Sequence, residues 1–249
     1  MQGSLAFAEE PPRARKRSDG LFFALFPDAG TARRIGRRAD RFVGERRLRG
    51  RRLRDDRLHV SVQFVGTYPR LRRSIVHAAQ LAGDAVSQPP FEVTFRFVES
   101  FEAPPSRGDG PSRHPLVLLG EGEGLFALHG RLGLAMQSIG LRPGETFVPH
   151  MTLLYGPTRI PRQAIEPIRF VVREFVLVHS ERGLSKYHAL GRWPLAGPSA
   201  AERRGASGAL PPGPPQYTAS HPPRLFGIAG QFAAEEPILE PGPRGEDSG

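Results

Sequence analysis

The residues of this chain best suited to chemistry stand in two tripeptides of one kind, His59-Val60-Ser61 and His150-Met151-Thr152. Positions 59 and 150 lie 91 residues apart. An imidazole titrates at about 6.5, so near neutral pH it can either accept or donate a proton. Two histidines on one cleft would supply a general base and a general acid. A hydroxyl two residues further on could donate a hydrogen bond to charge that develops on an oxygen. Strand side chains alternate faces, so His59 and Ser61 share one face of residues 58–64. Leu58, Val60, Val62 and Phe64 then share the other face. His150 and Thr152 pair in the same way, with Met151 and Leu153 behind them. The plainer alternative is two unrelated half-buried histidines, and pattern alone gives the two readings equal weight. Both stretches soon reach a turn glycine, Gly66 and Gly156. The other six histidines (His77, His114, His129, His179, His188 and His221) lack this context.

The elements that must position the two stretches follow from apolar spacing. Residues 21–26 read as a strand stopped by Pro27. Residues 28–49 read as an amphipathic helix that starts near Asp28 or Thr31, with Ala32, Ile35, Ala39, Phe42, Val43 and Leu48 inward. Residues 58–65 form the first motif strand. A second helix is expected over 70–87, with Leu71, Ile75, Ala78, Ala79 and Ala82 on one side. Residues 91–101 alternate as a strand with Phe91, Val93, Phe95 and Phe97 inward. A polar Pro/Gly loop at 103–114 and a short strand at 116–119 follow. Residues 122–139 read as a third helix with Leu125, Leu128, Leu132 and Met136 as its core stripe. The second motif strand covers 148–155. Residues 168–179 and 184–193 read as a closing hairpin across 180–183.

At 249 residues the chain can hold one sizeable core. Its apolar fraction of 39% is somewhat low, and the ends account for this. Residues 1–19 contain Pro11-Pro12 and a basic run from Arg13 to Arg17. Residues 197–249 contain Pro211-Pro212-Gly213-Pro214-Pro215. Such segments bury too little apolar surface to offset ordering entropy, and both tails are expected to be disordered around a domain at 20–196. The absence of cysteine excludes disulfides, thiolate nucleophiles and Cys-ligated zinc. No apolar run approaches the roughly 18 residues of a membrane span, and the first residues lack the basic-then-apolar order of a signal peptide. The chain is therefore expected to be cytoplasmic, without a membrane partner, and a monomer. No Asp/Glu/His cluster suggests a metal site, and no cofactor is expected. The net charge is +10. Residues 33–57 carry 12 Arg against four acids, or +8. That run is either a basic surface that would attract a polyanion or the solvated face of a helix.

The two tripeptides resemble the paired HxT/S signatures of the two-histidine (2H) phosphoesterases, in particular the LigT-type RNA 2',3'-cyclic phosphodiesterases, also called 2'-5' RNA ligases. Further pieces match in order. Leu21-Phe22-Phe23-Ala24-Leu25-Phe26-Pro27 resembles the opening strand, and Phe147-Val148-Pro149-His150 resembles the approach to the second motif. Phe175 to Ser180, Gly183-x-x-x-Tyr187-x-x-Leu190 and Trp193-Pro194-Leu195 resemble the closing strands. The resemblance covers about residues 20–196. It implies an α+β fold of two pseudo-symmetric lobes of antiparallel sheet, with flanking helices, around a central groove. It also implies metal-independent opening of an RNA or nucleotide 2',3'-cyclic phosphate to a 2'-phosphate, with 2'-5' ligation as the reverse. His59 would be the proton donor, His150 the proton acceptor, and Ser61 and Thr152 the phosphate contacts. Tyr155 and Tyr187 are weaker candidates that could stack on a base or touch phosphate, and His179 and His188 could face the groove. The chain departs from many relatives where Gly20 and Tyr155 replace arginines. The departures favour a second possibility, a small cyclic nucleotide or ADP-ribose cyclic phosphate as substrate. A third possibility is a non-catalytic RNA-binding module.

Overall fold

A computed structural model describes residues 18–103, 113–181 and 186–196. Residues 1–17 of the expected tail at 1–19, the whole expected tail at 197–249, most of the Pro/Gly loop and residues 182–185, which include part of the expected turn at 180–183, lie outside the described residues. The strands are β1 (Asp19–Leu25), β2 (Arg51–Arg52), β3 (Val60–Tyr68), β4 (Phe91–Ser100), β5 (His114–Glu121), β6 (His150–Gly156), β7 (Gln163–Val172), β8 (Glu174–Glu181) and β9 (Lys186–Pro194). The helices are α1 (Ala29–Glu45), α2 (Arg73–Asp84) and α3 (Glu123–Ser138), and a 3-10 turn covers Asp55–Arg57.

The strands run in the order β7-β4-β5-β6-β3-β1-β8-β9, with β2 beside β6, and every pairing is antiparallel. The path falls into two four-stranded lobes, β3-β1-β8-β9 and β6-β5-β4-β7. Among the described residues they meet through one registered pair, Val60 with Met151. The lobes repeat one plan. β1-α1-β3 in the first matches β5-α3-β6 in the second, and each unit ends on a motif strand.

All three helices cover the same face of the sheet. Ile35 and Ala39 of α1, Ala79 and Ala82 of α2, and Leu125, Leu128, Leu132 and Met136 of α3 join one core with Leu21, Phe23, Val60, Phe95, Met151 and Phe175. Burial of these apolar side chains drives the fold. Asp28 starts α1 by accepting a hydrogen bond from the Thr31 backbone N–H at 2.9 Å. That contact holds the Asp28 carboxyl below its usual range. Two smaller clusters occupy the opposite face. Phe22, Ala24, Val176 and Val178 pack with Phe26, Phe64 and Tyr187 in the first lobe. Phe101, Val117 and Leu119 pack with Phe97 and Val148 in the second. The helix-free face is the groove.

The expected strand at 168–179 is two strands broken at Arg173. β7 pairs with β4 and β8 with β1, so the chain passes from one lobe to the other there. With a single residue between them, the outer ends of the sheet path must curl together. Leu195 donates its backbone N–H to the Arg173 carbonyl at 2.7 Å and holds this crossing. Arg34 and Arg38 of α1 reach the same edge and donate to the carbonyls of Arg169 and Glu166. Arg46 donates to Gln163, while Arg52 pairs with Asp40 and Asp55. Much of the basic run therefore fastens α1 to its neighbours on the side away from the groove. This favours the helix-face reading of that run.

Candidate active site

His59 and His150 enter the groove by the same local device. The Nδ1–H of His59 donates to the Arg57 carbonyl at 2.7 Å, and that of His150 donates to the Val148 carbonyl at 2.8 Å. In both cases the acceptor lies two residues back. A carbonyl can only accept, so the proton sits on Nδ1, and in the neutral ring Nε2 carries the lone pair.

The rings have different surroundings. His59 lies 5.4 Å from the Phe22 ring centroid, 5.7 Å from Phe26 and 5.5 Å edge-on from Tyr187. His150 packs edge-on against Phe101 at 4.9 Å. Burial pushes His150 down from the usual 6.5 to about 4, the bond to Val148 opposes that shift, and nearby His59 adds to it. His150 is therefore neutral at pH 7, although one edge of the residue stays partly exposed.

The turn that delivers His59 is braced from behind. Arg52 bridges Asp40 on α1 at 2.6 Å and Asp55 in the 3-10 turn at 2.8 Å. The turn sits against Gly36 of α1, where an added Cβ would collide with the Asp55 carboxylate. The Arg57 guanidinium lies over the Tyr187 ring, 4.1 Å from its centroid. The approach to His150 is braced by Gln63, which is 2% exposed. Its amide donates to the His129 carbonyl at 3.1 Å and accepts from the Gly144 backbone N–H at 3.0 Å.

Gln63 reaches α3 because β3 does not alternate throughout. Ala24 pairs with Ser61 and Phe23 with Gln63, which leaves a bulge between them. Val62 and Gln63 both face the helices, and Phe64 returns to the groove beside Phe22. The expectation that Phe64 packs with Val60 and Val62 is thereby corrected. β6 carries the matching bulge, with Leu116 opposite Leu154 and Val117 opposite Thr152. Leu153 and Leu154 both face the core, so Tyr155 falls on the groove face with Thr152. Each motif strand thus offers three groove residues at matching positions: His59, Ser61 and Phe64, and His150, Thr152 and Tyr155.

The sequence pattern of the 2'-5' RNA ligase superfamily matches residues 27–184, both motif strands included. The chain belongs to this family. It is a two-histidine phosphoesterase of the LigT type. TT0787 of Thermus thermophilus shares its fold at 22% identity, over 72% of this chain and 98% of that one, with a TM-score of 0.56. LigT of E. coli in its apo form is 27% identical over 72% of this chain and 98% of its own, with a TM-score of 0.52. The same E. coli protein complexed with ATP matches at 26% identity, equal coverage and the same TM-score. No curated protein matches the chain.

Within this 2H phosphoesterase, the structure brings His59, Ser61, His150, Thr152, Tyr155 and Tyr187 to the groove face. Gly20 also lies there, in a row with Ser180 and Tyr187. His179 and His188 do not. They pair across β8 and β9 opposite Leu21, on the helix-side face, where His179 meets Asp19 at 3.4 Å and His188 meets Glu181 at 2.8 Å. Phe64, Phe97, Phe101 and Arg57 are groove residues that pattern reading missed, and the expectation that Phe97 points inward with Val93 and Phe95 is corrected by the bulge between Phe95 and Phe97. A bulge, a loop and a side-chain stack place them, and none of the three leaves a periodic signal.

Proposed function

We propose that this chain hydrolyses RNA or nucleotide 2',3'-cyclic phosphate ends to 2'-phosphomonoesters, using His150 as base and His59 as acid. The observation that carries this reading is the matched fixing of the two rings. Each Nδ1 is tied to a carbonyl two residues back, which gives the proton-transfer role to Nε2, and His150 is held neutral. His150 Nε2 takes a proton from water as the water oxygen bonds to phosphorus. The bond from phosphorus to O3' breaks, and His59 Nε2–H delivers its proton to the departing oxygen. Ser61 and Thr152 donate hydrogen bonds to the non-bridging oxygens and stabilise their charge. Each proton transfer is typically worth about 10²- to 10⁴-fold. A 5'-hydroxyl that attacks in place of water gives up its proton to His150, breaks the same bond to O3' and makes a 2'-5' linkage. The steps call for no metal, and among the described residues no three His, Asp or Glu side chains converge to hold one.

The test is turnover of a short RNA ending in a 2',3'-cyclic phosphate, with EDTA present, by wild type, His59→Ala and His150→Ala. The expected result is a 2'-phosphate product from the wild type and loss of turnover in both variants. Undiminished turnover by a folded His59→Ala protein would overturn the assignment. A second reading, a small cyclic nucleotide or ADP-ribose cyclic phosphate as substrate, is favoured by Gly20 and Tyr155. Both stand on the groove face, where many relatives present arginines. Comparing cyclic substrates of increasing length separates the two readings.

A further inference from the structure

Glu99 is a carboxylate on the groove wall that the fold does not require. Glu99 on β4 stands opposite Val117 on β5, and Val117 stands opposite Thr152 on β6. The three form one row across the groove face. Two strand spacings place Glu99 about 10 Å from Thr152. The corresponding row of the first lobe runs Ser61, Ala24, Val176, and Val176 is an apolar side chain only 2% exposed. Packing at this position is thus met by a valine in one lobe and by a carboxylate in the other.

Glu99 is half-buried, and burial pushes its carboxyl up, opposed by the charge of Arg162. Among the described residues it has no hydrogen-bond or ion-pair partner. A half-buried carboxylate on a groove wall is a candidate contact for a ligand that brings hydrogen-bond donors. Its flanking groove-face neighbours are aromatic. Phe97 precedes it and Phe101 follows it, both in the second lobe's groove cluster. The Arg162 guanidinium covers the outer side of Phe97 at 4.5 Å, while Phe101 touches His150.

We infer that Phe97 and Glu99, backed by the buried Phe101, form a nucleobase subsite and that Glu99 selects guanine. The inference rests on the hydrolytic reading above for the placement of the phosphate near Thr152. From there, one nucleoside reaches from its ribose phosphate to the Glu99 row. The partly exposed Phe97 ring offers a stacking surface to any base, and Phe101, 5% exposed, backs it. The carboxylate offers two acceptors side by side and no donor. Guanine presents two adjacent donors, N1–H and the N2 amino group, and satisfies both oxygens. Adenine and cytosine place an acceptor ring nitrogen beside a single amino donor. Uracil flanks its one N–H with carbonyls. Each of these three sets a lone pair against the carboxylate.

The experiment measures kcat/KM for the four nucleoside 2',3'-cyclic phosphates with wild type, Glu99→Gln and Arg162→Ala. Calorimetric binding of the four nucleoside 2'-monophosphates runs beside it. The guanosine substrate is expected to lead by roughly ten- to hundredfold, the usual worth of a bidentate base contact. Glu99→Gln brings guanosine down to the level of the others, and Arg162→Ala keeps the preference. The ratio among bases does not depend on how much protein folds, so partial misfolding cannot imitate the result. Equal rates for all four bases with the wild type, or an equal fall for all four in Glu99→Gln, would overturn the subsite. If the wild type opens none of the four, the short cyclic-phosphate RNA judges the hydrolytic reading and the binding ratios alone judge Glu99.

Discussion

Val60 and Met151 stand directly opposite each other where β3 meets β6, one residue beyond His59 and His150. Both are fully buried. Each histidine is therefore fixed to the other lobe through its own chain neighbour, and the distance between the two rings is governed by a backbone pairing. Met151→Ala removes a buried side chain from that junction and should cost about 2–5 kcal/mol. Denaturant unfolding measures it. A loss under about 1 kcal/mol would mean that the lobes are held together elsewhere.

The His150 environment gives a pH signature with a definite sign. The ring titrates near 6.5 in the unfolded chain and at about 4 in the folded one. Between these values the unfolded chain binds a proton that the native chain does not. Stability supplied by neutral His150 is thus full above 6.5 and falls as the pH drops from 6.5 towards 4. The size is at most on the order of 3 kcal/mol, and the exposed edge of the residue reduces it. His150→Ala should flatten the unfolding free energy across this window. In turnover, the limb of the kcat/KM profile that belongs to the base should lie near pH 4. A base limb near 6.5 would show that His150 is not held neutral in this way.

The histidines are legible because their strands alternate in step with burial as far as Ser61 and Thr152. Alternation fails two residues later, at Gln63 and Leu154. Val62-Gln63 and Leu153-Leu154 each turn two successive side chains inward, which is a property of the bulge and not of residue type. Gln63 therefore looks like a surface residue in sequence and is buried in the fold, while Phe64 looks like core and faces the groove. The break at Arg173 does leave a trace. Phe170 and Val172 alternate, whereas Phe175, Val176, Leu177 and Val178 are apolar without a gap because β8 is covered on both faces. The basic run is plain in the sequence, but its direction is not. Only the packing of Ile35 and Ala39 shows that α1 turns its arginines away from the groove.

Thr152→Val keeps the shape of the side chain and deletes the hydroxyl. If that hydroxyl donates to phosphate in the transition state, kcat should fall by about 10²- to 10³-fold. KM should change far less, because the contact strengthens only as charge develops. Ser61→Ala should behave in the same way, since Ser61 holds the matching place in the other lobe. Steady-state kinetics on a cyclic-phosphate substrate reads both. A rise in KM at constant kcat would assign the hydroxyls to ground-state binding.

Gln63 links the first motif strand to the segment that leads into His150, and nothing in its chemistry is reactive. Gln63→Leu keeps the volume but leaves the His129 carbonyl and the Gly144 N–H without their partner. Each orphaned group should cost about 1–3 kcal/mol. The effect should also reach catalysis, because residues 140–149 fix where the Val148 carbonyl holds His150. Amide exchange at Gly144 should speed up in the variant, and kcat should fall. A variant that loses stability but keeps wild-type kcat would separate the two roles and leave Gln63 as a purely structural clamp.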